Sequence, residues 1–100
     1  RDQRRAAATE LAVRALRAGR AREGEALLDE AMGLIPPGQG AGADVLHLRA
    51  QSAYLMRDVP LAVRRYRALL RAYPGHTPGA AELGQILEAH PGAEGGERGG

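Results

Sequence analysis

Apolar side chains recur at helical spacing along most of this chain. The plainest case is Ala62, Tyr66, Leu69 and Tyr73, at i, i+4, i+7 and i+11, with Leu70 beside them. Arg64, Arg67 and Arg71 recur on the opposite side. One apolar and one charged face at this period make an amphipathic helix. Turn signals show where such segments stop: Gly19, the run Pro36-Pro37-Gly38-Gln39-Gly40 with Gly42, Asp58 with Pro60, Pro74-Gly75, and His90-Pro91-Gly92. Between them the spacing predicts five helices, roughly over 3–18, 21–35, 43–57, 60–73 and 78–89. Asp58 is placed to cap the fourth, and Pro60 falls in its first turn, where an N–H has no helical partner to lose. Thr77-Pro78 makes a start for the fifth. Residues 92–100 hold five Gly in nine positions and are expected to form a disordered tail, which leaves 1–91 as the folded domain.

Composition narrows the architecture. Val stands at 13, 45, 59 and 63, Ile at 35 and 86, Thr at 9 and 77, and none of them forms an alternating run. An all-α fold is therefore expected. With three Tyr and neither Phe nor Trp, Ala and Leu must supply most of the core, which suits helices packed at close range. All fourteen basic residues are Arg, and Lys, Asn and Cys are missing. The missing Lys and Asn read as GC-rich, bacterial codon usage. A net charge of +2 is too small to imply nucleic acid, and no disulfide can form. No apolar stretch approaches the ~18 residues of a membrane span. The chain opens on Arg1 and not on Met, which reads as a piece of a longer product.

The segments repeat. Leu46, Ala50 and Ala53 are followed by Ala62, Tyr66, Leu69 and Pro74, and a shift of 38 upstream gives Ala8, Ala12, Ala15, Gly19, Gly24, Leu28, Ala31 and Pro36. A shift of 34 downstream gives Leu83-Gly84 and Leu87, then stops at Pro91. The pattern of a small residue, Ala62-x3-Tyr66 and a closing Pro resembles the tetratricopeptide repeat family. It departs at Arg49 and Ala53, where that family prefers large apolar side chains, and Tyr54 is placed to fill part of the space. The resemblance implies a short right-handed solenoid of antiparallel helix pairs, two whole repeats and a closing helix over residues 5–90. Ala12, Ala50 and Gly84 would then sit where paired helices touch, with Leu28 and Tyr66 filling the gaps between pairs.

Little in the chain points to catalysis. His76 and His90 flank Pro-Gly turns and His47 stands alone on a helix, so no metal ligand set emerges and no cofactor is implied. Glu23, Glu25, Asp29 and Glu30 cluster in the second helix, where first-turn acids complement the positive helix end. Ser52 has no base near it in sequence, and the Gly-rich string at 38–42 follows no strand. The expectation is a non-enzyme whose partner is a protein or peptide.

In the family that this chain resembles, the first helix of each pair lines a concave groove. Carried over, that face holds Thr9, Val13, Leu16, His47, Gln51, Tyr54, Gln85 and Glu88. The Lys and Asn clamp with which some members hold a peptide carboxylate is absent. Arg64, Arg67 and Arg71, with Arg57 and Arg65, form either a solvated convex face or a surface for an acidic partner. Tyr66 and Tyr73 fall on the apolar side, which argues against RNA. The alternative function is a structural subunit that self-associates or joins a larger complex, because so few repeats leave open ends.

Overall fold

The structure, a computed structural model, describes residues 2–93. It has five helices: α1 (Asp2–Arg17), α2 (Ala21–Gly33), α3 (Ala43–Leu55), α4 (Val59–Ala72) and α5 (Thr77–Ala89). No strand occurs among the described residues. Packing follows chain order: α1 on α2, α2 on α3, α3 on α4 and α4 on α5, with α1 also touching α3.

Two of the connections are the same turn. After α1, Gly19 adopts φ +81°, the Arg20 N–H donates to the Ala15 carbonyl (2.8 Å) and the Gly19 N–H to that of Leu16 (3.0 Å). After α3, Arg57 adopts φ +65°, and Asp58 and Arg57 donate to Ala53 (3.0 Å) and Tyr54 (2.9 Å). A left-handed residue at this place lets two N–H groups satisfy carbonyls that the helix end leaves open. Arg57 ends α3 two residues sooner than its apolar period suggested. The Pro36-Pro37 stop likewise ends α2 at Gly33, with Leu34 and Ile35 in the turn. Asp58 caps α4 as expected, its Oδ1 accepting from the Leu61 N–H at 3.2 Å. The start of α5 is capped one residue before Thr77: His76 Nδ1 accepts the Gly79 N–H at 3.0 Å.

The core is built from small residues at contact points and larger ones between them. Ala12, Ala31, Ala50, Ala53 and Ala62 are fully buried, as are Leu28, Leu69 and Val63, and Tyr66 is nearly so. Tyr54 does not fill the space beside Ala53. It stands at the surface, where its hydroxyl meets His90 Nε2 at 3.3 Å. Gly84 also departs from expectation. It is exposed, and an added Cβ there would meet nothing within 4 Å, because no described helix covers α5 on that side. Tight glycine contacts lie at Gly24, where a Cβ would fall 2.6 Å from Leu16 Cδ2, and at Gly79, where it would fall 2.6 Å from Leu69 Cδ2.

Polar ties cross between the helix pairs, one of them centred on Glu25. Arg65 donates to both Glu25 oxygens (2.9 and 2.8 Å) and to the Arg49 carbonyl (2.9 Å), and the fully buried Ser52 donates to Glu25 at 2.9 Å. Arg65 is therefore half-buried at the contact between the pairs and does not stand on the exposed charged face. Glu25 serves this tie, beyond any part in the helix-end field, and Ser52 has a carboxylate partner that sequence distance concealed. Glu23 pairs locally with Arg20 at 3.0 Å. At the other end, the Ala93 N–H donates to the His90 carbonyl at 2.9 Å and its side chain packs on the core. The rest of the expected tail, 94–100, lies outside the described residues.

Candidate functional site

A cleft of about 730 Å³ opens between α1, α3 and α5. Helical spacing places its lining. Val13, Leu16 and Arg17 come from α1, and Leu48, Gln51, Tyr54 and Leu55 from α3. Glu82, Gln85, Ile86 and Ala89, at i, i+3, i+4 and i+7, come from α5, and Tyr66 reaches in from α4. Half of the lining is aliphatic, with two amides, two phenols, a carboxylate and a guanidinium among it.

Beside the aliphatic lining lies a polar cluster centred on Glu82. Its Oε1 accepts from the Tyr66 hydroxyl (2.6 Å), His47 Nε2 (2.8 Å) and the Gln51 amide (3.2 Å). A carboxylate only accepts, so His47 carries its hydrogen on Nε2 in this contact. Burial by itself would raise the Glu82 carboxyl, but donation by Tyr66, His47 and Gln51 outweighs it and holds the group below its ordinary value. Burial, and then the carboxylate that it serves, pushes the Tyr66 phenol far above its ordinary value. The His76 ring stands edge-on to His47, centroids 4.9 Å apart. His47 is thus part of a network and does not stand alone. No group of three or more His, Asp or Glu among the described residues is arranged to hold a metal ion.

Of the eight residues assigned to a concave face, Val13, Leu16, Gln51, Tyr54 and Gln85 line this cleft. His47 lies beside it, engaged with Glu82. Thr9 borders a different hollow of about 680 Å³, next to Tyr73 and the 39–42 loop, with its hydroxyl donating to the Arg5 carbonyl at 2.9 Å. Glu88 is exposed on α5, off the stripe that faces the cleft. The lining residues that sequence reading passed over are Arg17, Leu48, Leu55, Tyr66, Glu82, Ile86 and Ala89. Their signal was present: Leu48, Gln51 and Leu55 follow i, i+3 and i+7, as the α5 set does. Of the Arg face, Arg64 and Arg71 are exposed and Arg67 is half-buried, bordering a shallow site with Leu70 and Leu83. Among the described residues no helix is long and apolar enough to cross a membrane. No known protein family, curated protein or solved structure matches the chain.

Proposed function

We propose that the chain is a protein-interaction module of the tetratricopeptide type, which holds the apolar face of a partner peptide or helix in the α1–α3–α5 cleft. The cleft itself carries the reading. Its volume of about 730 Å³ lies within the range of ligand sites, roughly 300–1,000 Å³. Exposed apolar surface faces it from Tyr54 and Leu55, 38% and 46% exposed. Gln51, Gln85 and Arg17 offer polar groups at its sides. Such a surface suits a ligand with aliphatic or aromatic anchors and a few hydrogen-bonding groups. The titratable groups nearby satisfy one another through Glu82, which favours a binding role over a catalytic one. The recurrence of one turn after α1 and α3, at the offset of the sequence repeat, supports the family reading.

The test is a displayed peptide library selected on the purified protein. Peptides bound in the cleft should lose at least about thirtyfold in affinity with Tyr54→Ala plus Leu55→Asp, since buried aromatic anchors often carry about 2 kcal/mol. Helicity by circular dichroism should be unchanged, because both positions are exposed. Arg64→Glu with Arg67→Glu should alter mainly association rate and salt dependence. Binding that survives the cleft pair and disappears with the charge reversal would overturn the cleft and favour an acidic partner on α4.

A further inference from the structure

α5 differs from α1 and α3 in what covers it. The internal repeat sets Gly84 where α1 has Ala12 and α3 has Ala50. Those two alanines are fully buried, since α2 packs on α1 and α4 on α3. Gly84 has open space over it, and Ala80, Ala81 and Glu88 stand exposed around it. The result is a shallow helix face with methyl-sized walls and a carboxylate one turn beyond.

α1 presents the complementary shape. Ala7, Leu11 and Arg14 follow i, i+4 and i+7 on its outward side, all exposed, and Leu11 is 48% accessible, the highest value for any large apolar side chain. Charge divides the same way. α1 holds four Arg against two acids, and α5 holds two Glu and no Arg.

We infer that these two faces take each other in two copies of the chain, with Leu11 of one copy seated over Gly84 of the next. With α1 and α5 running in the same direction, Arg14 lies one turn past Leu11 and meets Glu88, one turn past Gly84. Charge also selects the mode of pairing. Two α1 faces side by side in parallel would oppose Arg14 to Arg14, and two α5 faces Glu88 to Glu88, while antiparallel twofold pairs would leave both charges without an opposite, so only the unlike pairing gains the Arg14–Glu88 ion pair. A contact between unlike faces leaves a free α5 on one copy and a free α1 on the other, so association continues as an open chain. Neither Leu11 nor Gly84 lines the cleft, so this contact is independent of peptide binding.

The experiment blocks one face at a time. Leu11→Arg removes the knob, and Gly84→Arg fills the hollow. Both positions face open surroundings, so both variants should fold, as circular dichroism checks. In sedimentation velocity over micromolar to millimolar concentration, the unaltered chain should form a growing series and each variant should remain monomeric. Mixed in equal amounts, the variants should give a heterodimer and nothing larger, since each keeps the face that the other lacks. Arg14→Glu and Glu88→Arg should each weaken association about two- to fivefold, and the two together in one chain should restore it. An unaltered chain that stays monomeric overturns the inference. So do variants that still self-associate, or a mixture that stays monomeric while the unaltered chain assembles.

Discussion

Arg57 carries a conformation that a side chain makes costly. It occupies the left-handed position that glycine fills at the end of α1, and a Cβ there crowds the following carbonyl by about 1–2 kcal/mol. Glycine would remove that crowding but gain freedom in the unfolded chain, which offsets part of the benefit. Arg57→Gly should therefore raise stability by about 0.5–1 kcal/mol in urea unfolding, and Gly19→Ala should lower it by about 1 kcal/mol. If Arg57→Gly is destabilising, the arginine side chain holds something beyond the turn. Gly19 was legible as a stop because glycine announces left-handed backbone. Arg57 was not, because nothing in an arginine marks that geometry.

At the scale of the helices, Ala50 sets how closely α3 and α4 approach. Ala50→Leu should overpack this fully buried position and cost about 1–3 kcal/mol, whereas the same change at half-buried Ala68 should cost less. Equal tolerance in thermal unfolding would mean that the α3–α4 contact does not run through Ala50. The helices themselves were readable from period and turn residues, since both are local. Cleft residues on the groove face of α1 and α3 were readable for the same reason, as Val13, Leu16, Gln51 and Tyr54 show. The polar ties were not. Glu25 and Arg65 are 40 residues apart, and His47 and Glu82 are 35 apart, so only packing brings them together. Gly84 was misplaced because the repeat frame supplies a contact site without saying whether a helix arrives to use it.

For the molecule as a whole, these ties set the response to acid. Glu25 is held below its ordinary value of 4.5, first by the Arg65 hydrogen bonds and against burial, with Ser52 adding to the effect. Glu82 is lowered as well. A carboxyl whose folded value lies below its unfolded value contributes stability that is full above the unfolded value and lost as pH falls through the folded one. The urea midpoint should therefore change little from neutrality down to about pH 5, then decline below about pH 4. Arg65→Met should cost about 1.5–3 kcal/mol at neutral pH, the worth of hydrogen bonds to a charged group, and should flatten the acid decline. A steeper decline in that variant would show that the lowering of Glu25 comes from elsewhere. The same tie has a consequence during synthesis. Because packing follows chain order, α1 and α2 can close on each other before α4 has been made. Until Arg65 emerges, the face that α2 turns toward later helices displays the Glu25 carboxylate in water. A charge so placed on an apolar face disfavours sticking to another nascent chain, and here it would be neutralised only when α4 arrives.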